Sequence, residues 1–306
     1  MVRSEDQMAD LMNTRQVAKY LGINEKKIYA MAKARGIPCT RVTGKWVFPK
    51  KLIDQWIEKS AEAVVAKAGK EDRRFLLAAG SDDPSLGILR DLYAAQIEPG
   101  LFFMAPGGST AGLAAIREGV ADLALSHLLD SETGEYNLPF VKKILPADVV
   151  VASLFYRELG LIVAPGNSKG FETMSDFVRD GIRIVNRQKG SGTRHYFDLE
   201  LARLSLTPDR IVGYGDIVVT HLEVGLKVLR NEADAGIATK AVAHMLGLDF
   251  VPLTRERFDI LIPKERFFSH AVQTLLGIVG SQEFRARIGP MTGYDVSESG
   301  RIIAGD

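Results

Sequence analysis

Apolar runs that alternate with glycine- and serine-rich turns and short helical patterns occupy most of the sequence. At 75–97, Phe-Leu-Leu-Ala-Ala leads into Gly-Ser-Asp-Asp-Pro and then into a helical stretch, and the pattern recurs at 101–117. A third apolar strand at 121–125 ends at Ser126 and His127. Alternating strands and helices predict a parallel sheet with helices on both faces, and ligands of such sheets lie at the carboxyl ends of strands. The sequence therefore predicts an α/β body with a binding edge.

The second half of this body predicts another lobe. Apolar strands are expected at 149–155 and 161–164, separated by the charged run Arg-Glu-Leu-Gly, and the runs 250–253 and 258–263 read as a return to the first lobe. We assign lobe 1 to residues 74–159 and 251–306, and lobe 2 to residues 160–250. Two lobes crossed twice by the chain are typical of a type II periplasmic-binding-protein fold, in which the lobes close around a ligand.

The most distinctive turn of the body is Gly190-Ser191-Gly192-Thr193, which stands between an apolar strand and a helical pattern. Free N–H groups and the positive end of the helix dipole gather at such a turn, so it suits a small anion. The spacing is not that of a phosphate-binding P-loop. Alone the turn is weak support for a site, but Ser81, Ser109 and Ser126 also follow strands, so several hydroxyls are expected on one rim.

These motifs resemble a known family. The runs Gly-Ser-Asp-Asp-Pro at 80–84, His-Leu-Leu-Asp at 127–130, Asn-Arg-Gln-Lys-Gly-Ser-Gly-Thr-Arg at 186–194 and Ala-Asp-Ala-Gly at 233–236 resemble the PBP-like domain of regulators, which is also found attached to molybdopterin-biosynthesis proteins. That family is similar to molybdate- and tungstate-binding transport proteins, so the resemblance implies an oxyanion ligand. The expected ligand-binding residues are Ser81, Asp82, Ser109, Thr110, Ser126, His127, Arg187, Ser191, Gly192, Thr193, Arg194, Val219 and Thr220.

Each of these residues also has a structural interpretation. A serine at a helix start can cap its own helix, and Arg187 or Arg194 can form an ion pair with Asp198 or Glu200. His127 is compatible with a hydrogen-bonded structural role. The carboxylate of Asp82 can hold its own turn, and as an anion it opposes a dianion unless it points away.

A basic segment precedes the body. Residues 8–59 contain eleven Lys and Arg against four Asp and Glu, a net charge of +7, whereas residues 60–306 carry −5. Two short helices are expected at 15–21, capped by Thr14, and at 25–35, capped by Asn24. A hairpin with Thr-Gly at its turn follows at 39–48. Such a charge asymmetry indicates a polyanion as partner, with nucleic acid favoured.

The order of these elements resembles the excisionase-type winged helix-turn-helix of the MerR-like group, through Leu-Met-Asn-Thr-Arg-Gln-Val-Ala at 11–18, Gly-Lys-Trp-Val-Phe-Pro at 44–49 and Leu-Ile-Asp-Gln-Trp-Ile at 52–57. The resemblance implies that the second helix and the wing bind DNA. The alternative is that the charges form a solvated face. The expected DNA-binding residues are Lys26, Lys27, Tyr29, Lys33, Arg35, Arg41 and Lys45.

A helix over 50–67 is expected to follow, with residues 60–73 forming a linker helix between the DNA-binding domain, 8–59, and the PBP-like body, 74–306. Tethering and dimer contact are both compatible with this helix. Because regulators of this size usually bind two half-sites, a homodimer is expected.

Several classes of function are disfavoured. There is no secretory leader pattern and no run of about 18 apolar residues, so a cytoplasmic protein is expected. Cys39 is the single cysteine, which excludes an internal disulfide and a cysteine-based metal cage. The five histidines lack paired metal spacing, and Ser191 is not in a nucleophile elbow. We therefore expect no catalytic residue, no metal and no cofactor other than the oxyanion ligand.

Three functions remain. The favoured one is a one-component transcriptional regulator that binds operator DNA and senses molybdate or tungstate between two lobes. The second is an excisionase-like architectural DNA-binding protein whose body serves protein interaction without a ligand. The third is an enzyme of molybdopterin metabolism, which depends on fold kinship alone.

Overall fold

The computed structural model describes residues 11–57, 75–98, 100–145 and 148–305. The chain forms two compact units, Met1–Glu71 and Asp72–Asp306, called here the head and the body. The predicted linker helix 60–73 and the second half of the predicted helix 50–67 lie outside the described residues, so both stay predictions.

The head is a small helical domain with a three-stranded sheet in the order β1-β3-β2. Asn13, and not Thr14, caps the first helix: its side chain accepts from the Gln16 N–H at 3.0 Å, and the Gln16 side chain accepts from the Asn13 N–H at 2.8 Å. This reciprocal pair satisfies the backbone N–H groups of Asn13 and Gln16. Thr14 is the first residue of the helix and does not cap it. Asn24 caps the second helix as predicted. The elements of the head are β1 (Leu11–Met12), α1 (Thr14–Leu21), α2 (Glu25–Lys33), β2 (Thr40–Val42), β3 (Lys45–Pro49) and α3 (residues 50–57).

The head has its own apolar core. Val17 and Ile28 from the two helices pack with Phe48 from the hairpin and Ile53 from α3, and all four are fully buried. Since these residues belong to four different elements, the helix-turn-helix and the wing form one folded unit.

The body is built on one ten-stranded sheet whose main path runs β5-β4-β6-β11-β7-β10-β8-β9, with β12 and β13 pairing with β7. Its strands are β4 (Phe75–Gly80), β5 (Leu101–Pro106), β6 (Leu123–Ser126), β7 (Val149–Val163), β8 (Ile184–Arg187), β9 (Ile217–Val218), β10 (Ala235–Thr239), β11 (Asp249–Pro263), β12 (Tyr294–Asp295) and β13 (Ile302–Ala304). Its α-helices are α4 (Leu86–Gln96), α5 (Ser109–Arg117), α6 (Leu138–Ile144), α7 (Gly192–Arg203), α8 (His221–Leu229), α9 (Lys240–Leu246), α10 (Lys264–Phe267), α11 (His270–Val279) and α12 (Gln282–Ile288).

Two long strands join the halves of the body. The sequence predicted separate strands at 149–155 and 161–164 and at 250–253 and 258–263, but each pair is one continuous strand, β7 or β11. The two strands pair antiparallel along their whole length, so the sheet is mixed. The charged run that suggested a loop remains in the strand because its buried cation, Arg157, finds ionic partners, as shown below.

The strand pairing divides the body into two lobes. β4 and β5 extend the sheet beyond β6, and β6 pairs with β11 at Asp259 to Leu261. On the other side, β10 pairs with β7 from Leu159 onward, β8 pairs with β10, and β9 pairs with β8. This is the two-lobed α/β architecture that the sequence predicted. The lobe boundaries at 159/160 and 250/251 stay predictions, and β7 and β11 carry the chain across them.

Candidate functional site

The serine turns of the two lobes meet in the interior of the body. The hydroxyls of Ser81 and Ser109 lie 2.7 Å apart, and both residues are buried. The N–H of Thr110, at the start of α5, donates to the carbonyl of Gly190 at 3.0 Å, and Ser191 beside it is also buried. The helix starts of α5 in lobe 1 and α7 in lobe 2 therefore face each other, with the lobes in contact.

Two glycines permit this close approach. Gly108 has a φ of 87°, and a Cβ there would lie 3.0 Å from Gly190 and Ser191 of the other lobe. A Cβ on Gly192 would lie 2.5 Å from the ring of His127. Larger residues at either position would hold the lobes apart, so the sequence is adapted to a closed cleft.

Several predicted donors already have partners within the protein. The Ser191 hydroxyl caps α7 by accepting from the Arg194 N–H at 3.1 Å, and Ser126 donates to Asn137 at 2.7 Å. The N–H groups of Val219 and Thr220 both donate to the Glu223 carboxylate, at 2.9 and 2.8 Å. These groups organise the helix starts around the cleft.

Arg194 and Asp82 differ in their surroundings. Arg194 forms an ion pair with Asp198 at 2.9 Å and stacks on Tyr214, with its guanidinium carbon 4.2 Å from the ring centre. Its charge is therefore already compensated. The pKa of Asp82 is raised by burial first and by neighbouring Asp83 second, against the opposing effect of Arg187.

Arg157, which the sequence did not single out, lies at the centre of the cleft floor. It is 1 % exposed and stands on β7 where the chain passes between the lobes. Its guanidinium donates to Asp83 and, at 2.7 Å, to Glu256 of β11. Burial alone would lower the pKa of Arg157, but Glu256 and Asp83 outweigh burial and raise it, so this cation is charged and paired.

The same guanidinium contacts two buried histidines. Nη2 of Arg157 lies 3.3 Å from Nε2 of His127, at the end of β6, and 3.3 Å from Nε2 of His221, at the start of α8. Nδ1 of His127 lies 2.8 Å from the Glu256 carboxylate. Burial is the main cause that lowers the pKa of both histidines, and that of His221 lies well below its usual range. Both rings are therefore neutral near pH 7.

Arg187 is the buried cation that lacks a carboxylate partner. It is 3 % exposed, and no carboxylate lies within ion-pair distance among the described residues. Its Nη2 donates to the carbonyl of Val219 at 2.6 Å. Burial, followed by repulsion from Arg157, lowers the pKa of Arg187 to about 10. Asp82, Glu256 and Glu223 act in the opposite direction without outweighing burial. A buried charge without an ion-pair partner is costly, so this position favours an anion nearby.

Three buried polar atoms around this cleft have no hydrogen-bond partner in the part of the chain that the structure describes. They are Nη1 of Arg187, Oγ1 of Thr193 and Nδ1 of His221. The N–H groups of Gly192 and Thr193 open α7 and have no partner in the described hydrogen-bond pattern. Most of these groups are donors, so the arrangement can bind an acceptor-rich anion.

Sequence reasoning found the turns and Arg187 but missed Arg157, Glu256 and His221 as parts of the site. The signal for His221 was its position directly after Thr220, which is one of the predicted ligand-binding residues. Arg157 and Glu256 carried none, because each lies inside a strand and they are 99 positions apart in the chain.

The head presents the predicted DNA-binding residues to solvent. Lys26, Lys27, Tyr29, Lys33, Arg35, Arg41 and Lys45 are all exposed. No ion pair joins the six cations to a carboxylate among residues 11–57. Arg41 lies over the ring of Trp46, 4.9 Å from its centre, which holds one charge on the wing. A row of uncompensated cations on a helix and a wing is suited to phosphate contacts.

Neither a metal-binding cluster nor a membrane-spanning helix occurs among the residues that the structure describes. No group of three or more His, Cys, Asp and Glu side chains is arranged to hold a metal ion there. None of the helices there combines the length and the apolar character needed to cross a bilayer.

Comparison with known families gives two matches. Residues 91–280 match the model described as a PBP superfamily domain, and residues 11–61 match the model described as a helix-turn-helix domain. The first match covers more than half of the chain and lies in the body, and the second covers the described head. The excisionase-like head and PBP-like body expected from the sequence are thus confirmed.

Individual proteins extend these matches. The chain is 30% identical to the uncharacterized protein YvgK of Bacillus subtilis over 302 residues, which is 94% of this chain and 96% of that protein. A putative phosphate transporter substrate-binding protein with bound phosphate from Clostridium perfringens matches 70% of this chain and 96% of its own, with a TM-score of 0.52 and 14% identity. The phospholactate-bound protein PEB3 matches 72% and 98%, with a TM-score of 0.50 and 15% identity. At such identities the two structures show the fold alone.

Proposed function

Because the chain belongs to the PBP superfamily and carries a helix-turn-helix domain, we propose that it is a one-component transcriptional regulator. In this proposal the head binds operator DNA, and the body binds a small oxyanion between its two lobes. The protein acts in the cytoplasm, where DNA is accessible, as a homodimer that contacts two half-sites.

The observation that carries the ligand part is the unpaired cation in the cleft. Arg187 is buried without a carboxylate, and it shares the cleft with the unpartnered hydroxyl of Thr193 and the free N–H groups that open α7. An oxyanion would accept from all of these donors at once and would compensate the charge. Among the ligand-binding residues predicted from sequence, the proposed site has Arg187 and the Ser191-Thr193 turn as its centre, whereas Arg194, which is paired with Asp198, is not assigned to the ligand.

Within the oxyanions we favour molybdate or tungstate. The support is the sequence resemblance to molybdate- and tungstate-binding proteins, together with the predominance of donors around Arg187. Molybdate and tungstate are fully deprotonated near pH 7, so every oxygen accepts, whereas hydrogen phosphate also needs an acceptor for its proton. The bound phosphate of the Clostridium perfringens protein makes phosphate the necessary comparison.

Calorimetric titration of the full chain tests this proposal. Molybdate, tungstate, sulfate and phosphate are titrated into the wild type and into Arg187→Met and Arg194→Met. We expect saturable binding of molybdate and tungstate that Arg187→Met weakens strongly. Arg194→Met is the matched control, because Arg194 is already paired with Asp198. If none of the four anions binds the wild type, the ligand part of the proposal is wrong.

A second experiment tests the regulator part. Binding of the full chain to DNA fragments from its own promoter region is measured with and without molybdate, over a range of salt concentrations. Regulation requires that the anion change DNA affinity, because the coupling free energy between two sites is reciprocal. Equal DNA affinity in both conditions would leave two independent binding activities and would contradict a sensor.

A further inference from the structure

A tautomer can be assigned to each of the two buried histidines of the cleft. Nη2 of Arg157 lies 3.3 Å from the Nε2 atoms of both His127 and His221. A guanidinium N–H only donates, so both Nε2 atoms must accept. A neutral imidazole that accepts at Nε2 carries its proton on Nδ1, and therefore both rings present an Nδ1–H donor.

The two Nδ1–H groups have different surroundings. In His127 this group donates to the Glu256 carboxylate at 2.8 Å. In His221 it is buried, and it has no acceptor among the described residues. An unmet buried donor costs roughly 1–3 kcal/mol, so a donor of this kind within a binding cleft indicates that an acceptor belongs there.

The position of His221 links it to the proposed anion site. It is the first residue of α8, and the turn before it is tied to Arg187 through the Val219 carbonyl at 2.6 Å. Nη1 of Arg187 also lacks a partner. Nδ1 lies on the opposite side of the ring from the Nε2 atom that contacts Arg157. Since burial, followed by Arg187 and Arg157, holds the pKa of His221 well below its usual range, the ring contributes a neutral donor.

We propose that His221 binds the oxyanion directly through Nδ1–H, and that Arg157 is a positioning residue that holds the ring in this tautomer from its Nε2 side. The inference rests on the proposed oxyanion site and adds a ligand-binding residue and a named atom to it. Arg157 is already paired with Asp83 and Glu256. The positioning role explains why its guanidinium also contacts the rings of both histidines.

Two amide substitutions separate the ring nitrogens of His221. The side-chain nitrogen of asparagine can occupy the place of Nδ1, whereas that of glutamine reaches the place of Nε2. We expect His221→Asn to bind molybdate within about fivefold of wild type. His221→Gln and His221→Ala should bind about 10- to 100-fold more weakly, as for a lost hydrogen bond to a charged group. Thermal denaturation without anion shows whether each variant is folded.

Nuclear magnetic resonance of protein labelled with 15N-histidine reports the tautomer of His221 and the response of its Nδ1–H signal to molybdate. A purely structural role of His221 would not produce that response. We expect the Nδ1–H tautomer for the signal that disappears in His221→Asn, and a shift of that Nδ1–H signal when molybdate is added to the wild type. An Nε2–H tautomer, or an unchanged signal at saturating molybdate, would overturn the inference.

The outcomes also separate this inference from the proposed function. Tight wild-type binding with the same affinity in His221→Asn, His221→Gln and His221→Ala would leave the oxyanion site in place and remove His221 from it. Failure of the wild type to bind any of molybdate, tungstate, sulfate and phosphate would overturn the oxyanion site itself, and this inference with it.

Discussion

Replacement of Arg187 by methionine should move stability and ligand binding in opposite directions. Burial first, and Arg157 second, lower the pKa of this side chain from its usual value to about 10. At about 1.4 kcal/mol for each pKa unit, the charged guanidinium costs the folded body about 3 kcal/mol near pH 7. Because the folded-state pKa is below that of the unfolded chain, this cost is complete below pH 10 and disappears as the pH rises above 10 toward the usual pKa of a guanidinium.

Methionine removes that cost but also removes the hydrogen bonds that Nε and Nη2 of Arg187 donate to the side chain of Gln188 and to the carbonyl of Val219. The carbonyl of Val219 loses the hydrogen bond from Nη2 of Arg187, which costs about 1–3 kcal/mol if no water replaces it. The free energy of unfolding without anion should therefore stay the same or rise by up to about 2 kcal/mol. Oxyanion affinity should fall about 10- to 150-fold, since a hydrogen bond to a charged group contributes about 1.5–3 kcal/mol.

The assay must report on the body. Both tryptophans, Trp46 and Trp56, belong to the head, so urea denaturation is followed by circular dichroism and tyrosine fluorescence, and binding is followed by calorimetry. Arg194→Met serves as the matched control and should lose a little stability while it keeps its affinity within a few fold. A loss of more than about 2 kcal/mol of stability in Arg187→Met with unchanged oxyanion binding would refute the reasoning, because Arg187 would then be a structural residue.

Three further outcomes are expected. Gly192→Ala should weaken oxyanion binding at least about tenfold, because its Cβ would lie 2.5 Å from the His127 ring. The control Gly87→Ala, where a Cβ meets open space, should bind the oxyanion as the wild type does. Equal calorimetric affinities of Gly192→Ala and Gly87→Ala would contradict a closed cleft. The oxyanion affinity should be constant from about pH 6 to 9 and fall above about pH 10, where Arg187 begins to lose its proton. The charged groups that act on Arg187 there are Arg157, Asp82 and nearby glutamates. A change in oxyanion affinity near pH 6.5 would contradict neutral histidines. Lys27→Ala in the head should weaken DNA binding and reduce its salt dependence by about one charge, whereas an unchanged salt slope would place Lys27 outside the interface.

The sequence predicted the strand-turn-helix units well because each depends on neighbouring residues. Apolar periodicity placed β4, β5 and β6 and the helices α4 and α5, and local capping chemistry placed the start of α2 at Asn24. The continuity of β7 was missed for a physical reason. Its middle contains Arg157, and a charged residue in an apolar run usually marks a surface loop. The charge is tolerated because Asp83 and Glu256 reach it from other parts of the chain.

The candidate site shows the same limit. Sequence reasoning expected the hydroxyls of Ser81, Ser109 and Ser191 on one rim, and the structure brings these residues together. It left open whether Ser191 caps its own helix or binds a ligand, since one hydroxyl suits either role, and the structure shows the cap. It did not foresee that Ser81 and Ser109 bond each other. Arg187 could be nominated but not ranked above Arg194, because the deciding fact is which of them has a carboxylate neighbour, and that depends on the fold.

The connection between the lobes bears on how a ligand could act as a signal. Arg157 joins Asp83 of lobe 1 to His221 of lobe 2, and the Thr110 N–H meets the Gly190 carbonyl across the cleft, so the closed arrangement has contacts of its own. A ligand shifts the lobes only by the difference between its affinities for the closed and open states. Any change that the head makes in DNA binding is bounded by that same difference, and a tenfold change requires about 1.4 kcal/mol. Since a single lost hydrogen bond to the anion is worth about 1.5–3 kcal/mol, Arg187 and His221 together are sufficient in magnitude to drive such a response, provided that both reach the anion in the closed state alone.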